Sequence, residues 1–539
     1  MSREALLSSI KGGLIVSCQA DPGDPLDDPA IIAALAKAAE AGGAVAIRAE
    51  GVANIRAVKQ TVSVPVIGLC KKRYPDSRIY ITPTLSDALA VASAGADVIA
   101  LDATARRRPG GLSLARLVGA LKQRGMLLMA DVSCLEEGVA AAALGFDLIG
   151  TTLSGYVSPD APPPSEPDMA LVAMLNREVG QAVPIIAEGR ICTPAQAVQA
   201  LECGAFAVVV GTAITRPGAI TRRIAHAMAR YTSLQRGAAV GIDLGGTRTL
   251  VGVGSFGGDL WHETTFATPW QKGMTAVVGR VVEAVQRLLH SSGISAQAVG
   301  VAATGRVDAE RGEIVGGVPL APGYLGSPLR DQLSQRIGLP THLENDANAA
   351  AFAEYRRLPT PRPARFAMVT IGTGVGGGII FDGQLVRGAG NAGEIGHICV
   401  RKGGRSCRCG ARGCLEMYVS RHLLAKEVRR LVRAGVLQLP PHRQKLDTED
   451  VMALFLEGIP EIERLVDSQL DFLACGLRSL INTIDPEVIV IGGEISRLQE
   501  HLLKRLRARL AYPVKIRCAE LGNRAGAIGA AQLALAHLL

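Results

Sequence analysis

The first half of the chain alternates short apolar runs with alanine-rich segments whose apolar residues recur at helical spacing. Helices are predicted between the runs, for example over Pro29–Ala41 and Leu85–Ala94. The apolar runs predict eight strands: Leu14–Cys18, Ala44–Ala49, Pro65–Cys70, Asp97–Asp102, Leu127–Val132, Asp147–Thr151, Pro184–Ala187 and Ala207–Val210. Eight strand–helix units predict an α/β fold of the (β/α)8 TIM-barrel type, with an open doubly wound sheet as the alternative.

The rhythm changes at the glycine-rich stretch Gly241–Arg248, which reads GIDLGGTR. An apolar run ahead of it predicts a strand that Asp243 ends, and Leu250–Val253 predicts the second strand of a hairpin. The turn between them can present backbone N–H groups to a phosphate.

The segment between the two halves of the chain, Tyr231–Gly237, is short and polar. We therefore expect two closely joined domains, residues 1–231 and 238–539.

Length and charge narrow the class of protein. A chain of 539 residues is too long to fold around a single hydrophobic core, so we expect more than one domain. The net charge is +9, and the sequence has no long run of basic residues. This pattern favours anionic metabolites as ligands rather than nucleic acid. No apolar run reaches membrane-spanning length and the N-terminus lacks a signal-peptide core. Most cysteines are scattered through apolar settings, which predicts free thiols in the cytoplasm.

Polar residues follow the predicted barrel strands, where a barrel places its active site. These residues are Gln19, Arg48, Lys71, Asp102, Asp131, Thr151, Glu188 and Arg190. The last two turns, Glu188–Arg190 and Gly211–Pro217, occupy the usual phosphate-binding place after strands seven and eight. The pattern therefore favours a phosphorylated ligand.

Several motifs of this half closely resemble the N-acetylmannosamine-6-phosphate 2-epimerase family, among them GLIVSCQA, PVIGLCKK, ALDATARRRP and PIIAEGRI. The resemblance implies that Lys71 and Glu188 are the acid/base pair. It further implies a set of residues that bind sugar and phosphate: Gln19, Arg48, Asp131, Arg190 and Arg216. The family often has Lys-Arg-Asp after the third strand, whereas this chain has Lys71-Lys72-Arg73, so Lys72 stays open as the base.

The implied chemistry suits these residue types. Inverting the carbon that carries the acetamido group requires removal of a proton beside the open-chain aldehyde and its return on the other face. Two groups on opposite sides of the ligand suffice, and the resemblance implies no cofactor for this half. A lysine serves as base when its pKa is lowered, and a desolvated glutamate can return the proton. The alternative is that Lys71 and Glu188 form an ion pair that closes the barrel mouth.

The motifs of the second half come in an order that closely resembles the ROK family (repressor, open reading frame, kinase) of sugar kinases. They are GIDLGGTR, GVAATGRVD, HLENDANAAAFAE, TIGTGVGGGI, AGEIGHI and VIVIGGEI. The resemblance implies two lobes of actin/hexokinase type with Mg²⁺, ATP and sugar in the cleft. Two glycine-rich turns, Asp243–Thr247 and Gly372–Gly378, would hold the ATP phosphates. The predicted ATP-binding residues are Gly241, Ile242, Asp243, Leu244, Gly245, Gly246, Thr247, Arg248, Ile371, Gly372, Thr373, Gly374, Val375, Gly376, Gly377 and Gly378.

Asp346 lies at a strand end and opens the helical run Ala347–Glu354. A carboxylate there can accept the proton of a sugar 6-hydroxyl as it attacks the γ-phosphate. An N-cap aspartate is the alternative, because that position also favours one. The resemblance favours catalysis.

His397, Cys407, Cys409 and Cys414 supply one imidazole and three thiolates close together in sequence, which predicts a structural, tetrahedral zinc. If one imidazole nitrogen binds the metal, the other can face a sugar hydroxyl. The sugar site would then comprise Gly305, Arg306, Asn345, Glu394, His397 and Glu416. Surface carboxylates are the alternative for both glutamates.

Long amphipathic helices are predicted near the C-terminus, such as Leu423–Val436 and Ile462–Thr483, and family members often pair through such helices. The two resemblances together imply a bifunctional enzyme of sialic-acid breakdown. One half would phosphorylate N-acetylmannosamine and the other would convert that product to N-acetylglucosamine 6-phosphate. The alternatives are a hexose or N-acetylglucosamine kinase fused to a different phosphate-binding barrel, and a sugar-sensing regulator.

Overall fold

The computed structural model describes residues 1–156, 164–235, 237–438, 448–493, 495–496 and 499–538. These residues separate into two compact units, Met1–His226 and Ala227–Leu539. Each unit has cores of its own, and each is described by itself below.

The first unit is a closed barrel of parallel strands in the order β1 to β8. The strands are β1 (Leu14–Cys18), β2 (Ala46–Glu50), β3 (Val66–Leu69), β4 (Val98–Asp102), β5 (Leu127–Asp131), β6 (Leu148–Gly150), β7 (Ile185–Glu188) and β8 (Ala207–Val210). Parallel pairing of β1 with β8 closes the barrel, with Ile15 opposite Val209. The barrel prediction is confirmed, and the open sheet is wrong.

One helix, α1 (Arg3–Ile10), precedes the first strand, and a helix follows each strand from β1 to β7: α2 (Pro29–Ala41), α3 (Val52–Lys59), α4 (Leu85–Ser93), α5 (Leu114–Lys122), α6 (Leu135–Ala143), α7 (Met169–Val179) and α8 (Pro194–Glu202). Strand β8 is followed by α9 (Thr212–Thr215) and by α10 (Pro217–Gln235), which continues past the end of the first unit at His226. Local sequence sets their starts: Asp28 caps α2 ahead of Pro29, and Thr84 forms a capping box with Asp87. Apolar side chains such as Ile67 and Met129 fill the barrel, while Ile47 and Leu128 belong to the core cluster that includes helix residues such as Ile32.

The second unit contains two five-stranded sheets, ordered β11-β10-β9-β12-β15 and β18-β17-β16-β19-β20. Its strands are β9 (Ala238–Leu244), β10 (Arg248–Ser255), β11 (Leu260–Ala267), β12 (Ala296–Ala303), β13 (Arg306–Asp308), β14 (Glu313–Gly316), β15 (Thr341–Asn345), β16 (Arg365–Ile371), β17 (Val375–Phe381), β18 (Gln384–Leu385), β19 (Val488–Gly493) and β20 (Lys515–Cys518). Strands β9 and β10 pair antiparallel, as the hairpin prediction required. The two sheets match the predicted two-lobed fold.

The helices of this unit are α11 (Met274–Ser292), α12 (Leu329–Ile337), α13 (Asp346–Arg357), α14 (Arg421–Arg433), α15 (Thr448–Leu456), α16 (Pro460–Ile484), α17 (Gln499–Arg507) and α18 (Ala525–His537). Both predicted C-terminal helices are present as α14 and α16, shifted by one to three residues. Among the described residues, no helix combines the length and apolar character needed to cross a membrane.

Helix α18 lies against the first sheet and helix α13 at very short range. A Cβ atom on Gly241 of β9 would overlap the carbonyl oxygen of Ala527, and one on Gly529 would overlap that of Ala349. Glycine at these positions therefore permits backbone-to-backbone packing. This contact supports the strands that carry the glycine turn after β9.

Candidate functional sites

The two predicted acid/base residues of the barrel lie at the same end of the fold. Lys71 follows β3 and Glu188 is the last residue of β7. Three strands lie between β3 and β7 on either side of the eight-stranded ring, so the two residues lie across the barrel from one another. Burial raises the pKa of Glu188, and the charge of Lys71 is one of the influences that oppose this rise.

A buried guanidinium organises the base of this mouth. Arg48 is 1% exposed and its Nη atoms lie 3.1 and 2.6 Å from the two carboxylate oxygens of Asp131. Nη1 also lies 3.0 Å from Oε2 of Glu188. The hydroxyl of Thr152 lies 2.7 Å from Asp131 Oδ1 and 3.0 Å from Glu188 Oε2. Burial raises the pKa of Glu188, the Arg48 cation opposes that rise, and Asp131 adds to it.

Lys71 is held by its backbone, and among the described residues its side chain forms no hydrogen bond or ion pair. Its N–H donates to Oε1 of Glu50 at 3.2 Å, and the segment after it folds back so that Lys71 bridges Ile81. The side chain keeps exposed surface, yet the surrounding protein desolvates the ammonium and lowers its pKa. Glu50 opposes this effect, whereas Arg48 and Arg216 add to it.

Lys72 has a different environment. Its Nζ lies 3.7 Å from Asp87 Oδ1 and 5.1 Å from the ring centre of Tyr74, and its side chain is 56% exposed. Contact with Tyr74 and the Asp87 charge raise its pKa. A lysine that is held protonated in this way is a poor base, so the surroundings favour Lys71.

The remaining predicted mouth residues have assigned partners. Gln19 donates to Ser17 Oγ at 2.8 Å, and Arg216 is ion-paired with Asp21. Arg190 has a φ of 60° and donates to the carbonyls of Glu166 and Ser154 at 2.7 and 2.6 Å.

Asp102 and Thr151 line the mouth but are occupied by local contacts. Asp102 is fully buried, accepts from Thr104 and contacts Arg106 at 2.7 Å. The Thr151 hydroxyl donates to the backbone carbonyl of Glu188 at 2.9 Å. Both residues therefore support the mouth structurally.

Sequence reasoning missed three residues of this mouth: Thr152, Glu50 and Asp21. Thr152 and Asp21 lie on loops beyond the strand ends, so strand periodicity carries no signal for them. Glu50 ends β2 two residues after Arg48 and could have been found by extending that strand by one residue.

The glycine turn after β9 is confirmed, but it is shorter than predicted. Gly245–Thr247 forms the turn, and Gly246 and Thr247 are exposed. Gly241 and Ile242 lie inside β9, where Gly241 packs on α18 and Ile242 is fully buried in the core. Neither residue therefore belongs to the turn itself, and a role in nucleotide binding stays a prediction.

The second glycine-rich stretch is only partly a turn. Residues 372–374 connect β16 to β17, and Gly376, Gly377 and Gly378 lie within β17. A Cβ on Gly376 would lie 2.9 Å from that of Ala347, and one on Gly378 would lie 2.5 Å from that of Ala351. The prediction of a turn through Gly378 is wrong, because these glycines allow β17 to pack on α13.

Asp346 is the first residue of α13, and the N-cap is Asn345, whose side chain accepts from the Asn348 N–H. The N-cap alternative for Asp346 is therefore wrong. Its Oδ1 accepts from the Ala347 N–H and from Asn345 Nδ2 at 2.8 and 3.1 Å, and its Oδ2 accepts from Thr304 at 3.1 Å.

Asp346, the first residue of α13, lies near other carboxylates. Burial raises the pKa of Asp346, the Ala347 N–H and Thr304 oppose that rise, and the Glu394 charge adds to it. Burial followed by the Asp346 charge raises the pKa of Asp243 to about 7, with Arg248 opposing. Asp346 is thus close enough to Asp243 and to Glu394 for repulsion between it and each of them.

The four predicted metal ligands come together. Their ligand atoms lie within 4.8 Å of one another. Cys409 and Cys414 are 3.6 Å apart between sulfurs, and Cys407 Sγ lies 3.6 Å from His397 Nδ1. Tetrahedral zinc places two sulfurs about 3.8 Å apart and sulfur and nitrogen about 3.6 Å apart. The donor set and its spacing therefore fit zinc.

The residues predicted for the sugar site divide into two groups. Nε2 of His397 faces Glu394 Oε2 at 3.7 Å, and Arg306 Nη1 donates to Asn391 at 2.8 Å. Asn345 Nδ2 donates to the carbonyl of Gly305 at 2.9 Å.

Glu416 instead contacts the second glycine turn, where its Oε2 accepts from the Val375 N–H at 3.0 Å. Sequence reasoning missed Asn391 and Thr304, which are uncharged, although Thr304 directly precedes the predicted Gly305 and Asn391 directly precedes the AGEIGHI motif.

Two family models match the chain. The NanE model, described as N-acetylmannosamine-6-phosphate epimerase, matches residues 32–230. The ROK family model matches residues 239–537. The boundary between the two matches falls close to the boundary between the two structural units.

Known proteins resemble both halves. A protein from Brucella melitensis biotype 1, described as "Bifunctional enzyme NanE/NanK", is 38% identical over 99% of this chain and 98% of its own length. The N-acetylmannosamine-6-phosphate 2-epimerase of Clostridium perfringens is 46% identical, covers 41% of this chain and 95% of its own, and has a TM-score of 0.40. The ROK hexokinase of Thermus thermophilus is 33% identical, covers 56% and 99%, and has a TM-score of 0.49.

Proposed function

The chain belongs to the family of bifunctional NanE/NanK enzymes, and we propose that its two sites act in succession on one amino sugar. The second domain, residues 238–539, transfers phosphate from ATP to the 6-hydroxyl of N-acetylmannosamine. The barrel domain, residues 1–231, converts the resulting N-acetylmannosamine 6-phosphate to N-acetylglucosamine 6-phosphate. The observation that carries the proposal is full-length similarity to bifunctional relatives together with two separate clusters of buried charge.

In the barrel, Lys71 and Glu188 exchange the proton on the acetamido-bearing carbon. Their positions after β3 and on β7 suit attack from opposite faces of an open-chain sugar. The lowered pKa of Lys71 makes the neutral base accessible, and the raised pKa of Glu188 makes the protonated acid accessible. The sugar is bound by Arg48 and Asp131. Sugar and phosphate are both contacted by Arg190, Arg216 and Gln19.

In the second domain, Asp346 accepts the proton of the sugar 6-hydroxyl as that oxygen attacks the γ-phosphate. Its ties to Ala347, Asn345 and Thr304 fix the orientation of the carboxylate. The mutually repelling carboxylates of Asp243 and Asp346 are suited to hold Mg²⁺, which neutralises the developing phosphoryl charge. The exposed turn residues Gly246, Thr247 and Thr373 contact the ATP phosphates.

We assign zinc to His397, Cys407, Cys409 and Cys414, with a structural role because four protein ligands leave no open position. Zinc held there would fix the orientation of the His397 ring, and Nε2 of His397 and the Glu394 carboxylate would then present polar atoms to the sugar. The other cysteines are free thiols, which together with a thiolate metal site suit a reducing compartment, and we propose the cytoplasm.

Two assays test this proposal. With N-acetylmannosamine 6-phosphate in D₂O, we expect one deuteron at the acetamido-bearing carbon of the product, and its absence would contradict the epimerase assignment. With ATP and Mg²⁺, we expect kcat/KM to be higher for N-acetylmannosamine than for N-acetylglucosamine or glucose. A preference for glucose would favour the alternative of a hexose kinase fused to the barrel.

A further inference from the structure

A buried carboxylate, Glu344, lies beside the proposed phosphoryl-transfer site, and nothing in the proposed mechanism uses it. The residue lies on β15, two positions before Asp346, and is 2% exposed. Such a carboxylate is costly to bury unless charged and polar partners hold it. Each of its oxygens has partners from a different part of the site.

The first oxygen supports the strand end that carries the catalytic aspartate. Oε1 of Glu344 accepts from the backbone N–H of Asn345 at 3.0 Å and from Nδ2 of Asn348 at 3.0 Å. Asn345 in turn caps α13 and donates to Oδ1 of Asp346 at 3.1 Å. Through these contacts, Oε1 of Glu344 holds Asn345 and Asn348 in place and so fixes the orientation of Asp346.

The second carboxylate oxygen of Glu344 contacts the segment that leads to the sugar-side residues Glu394 and His397. Oε2 accepts from Nε of Arg387 at 2.7 Å, and His342 Nε2 lies 3.9 Å away. The carbonyl of Arg387 accepts from the N–H groups of Gly390 and Ala392, which begin the loop leading to Glu394 and His397. The Glu344–Arg387 pair thus connects the strand end before Asp346 with the loop that carries the sugar-side residues.

We propose that Glu344, paired with Arg387, is a positioning residue for phosphoryl transfer that sets Asp346 relative to the loop carrying Glu394 and His397. The inference rests on the proposed kinase function. Glu344 touches neither sugar nor nucleotide and acts through Asn345, Asn348 and Arg387. A displacement of about 1 Å at the reacting atoms can lower a rate by about a hundredfold.

The test compares Glu344→Gln, Arg387→Lys and Arg387→Gln in the full-length chain. A glutamine side chain at this position retains an acceptor but loses the charge that attracts Arg387. We expect kcat of Glu344→Gln to fall by about ten- to a hundredfold, with KM for ATP changed by less than about twofold. Arg387→Gln is expected to lose about tenfold and Arg387→Lys less, because lysine keeps the charge. The double variant Glu344→Gln/Arg387→Gln should be no slower than Glu344→Gln, since both changes remove one interaction.

Controls separate positioning from folding. Zinc content and melting temperature are measured on every variant, and rates are taken well below the melting temperature. The matched control is Arg365→Gln, which removes an exposed ion pair with Asp485 (3.2 Å) at the first residue of β16, and it should leave kcat unchanged. If Glu344→Gln fails to fold, the two Arg387 variants carry the test.

The outcomes are distinguishable from failure of the proposed function. A wild-type kcat in folded, zinc-loaded Glu344→Gln or Arg387→Gln overturns the positioning role, even if Asp346→Asn is inactive. Additive losses in the double variant also overturn it. Full activity in Asp346→Asn overturns the catalytic assignment and, with it, this inference.

Discussion

The two candidate sites hold buried charge in opposite ways. In the barrel, the buried cation Arg48 lies within 3.1 Å of oxygens on both Asp131 and Glu188. In the second unit, Asp243 and Asp346 repel one another, and among the described residues neither forms an ion pair with a basic side chain. The barrel supplies its own cation, whereas the second site leaves one to arrive with the nucleotide. This difference suits proton transfer in the first and Mg²⁺-dependent phosphoryl transfer in the second.

The largest effect is expected from a substitution that removes the kinase activity and leaves the epimerase activity unchanged. Asp346→Asn keeps the shape of the side chain but removes the proton acceptor, so we expect phosphoryl transfer to fall by about 10²–10⁴-fold. Sugar binding should be largely retained. The epimerase rate of the same polypeptide is the internal control, and unchanged phosphate transfer would refute the role of Asp346.

The reciprocal change breaks the first site. Lys71→Ala should abolish exchange of the sugar proton with solvent, with a loss of about 10²–10⁴-fold in epimerisation, measured by deuterium incorporation. Glu188→Gln should give a loss of similar size. Phosphorylation of N-acetylmannosamine should continue at the normal rate in both variants. Persistent exchange in Lys71→Ala would shift the base to another residue.

Metal removal sharpens the comparison, because the thiolate cluster belongs to only one site. Chelation, or Cys409→Ser, should release zinc and raise KM for the sugar by about tenfold, since His397 loses its orientation. Epimerase activity should not change. Readdition of zinc to the chelated enzyme should restore the original KM. An unchanged KM after verified loss of zinc would contradict the orienting role.

Burial is the largest cause of the pKa shifts of Lys71 and Glu188, and the barrel cation Arg48 also affects both. Arg48 lowers the pKa of Lys71 by repulsion and lowers that of Glu188 by attraction. Arg48→Gln should therefore raise both pKa values and move the whole profile of log kcat against pH to higher pH. A shift to lower pH would contradict this electrostatic account.

The smallest effect is expected at the neighbouring lysine. Lys72 contacts Asp87 and Tyr74 and is largely exposed, so Lys72→Ala should change the epimerase kcat by less than about twofold. The comparison with Lys71→Ala decides between the two adjacent lysines. A large loss in Lys72→Ala would assign the base to it instead.

Much of both sites was predictable, because strand ends and metal ligands leave regular patterns. The barrel strands and the residues after them follow from periodicity, and the cysteine spacing together with His397 predicted the four side chains whose ligand atoms lie within 4.8 Å of one another. Glycine was less informative: the same residue type forms the turn at Gly245 and allows close packing at Gly378. Sequence alone does not separate these uses, since the second depends on where α13 lies. The contacts of Thr152 and Asn391 likewise depend on loop conformation.

One coupled assay tests the central claim that both sites act on the same sugar. The full-length enzyme is incubated with N-acetylmannosamine, ATP and Mg²⁺, and the two 6-phosphate epimers are separated and quantified. We predict that wild type accumulates N-acetylglucosamine 6-phosphate, and that Lys71→Ala stops at N-acetylmannosamine 6-phosphate. Asp346→Asn should form neither from free sugar, yet convert added N-acetylmannosamine 6-phosphate. A wild-type enzyme that phosphorylates the sugar without epimerising it would contradict the account.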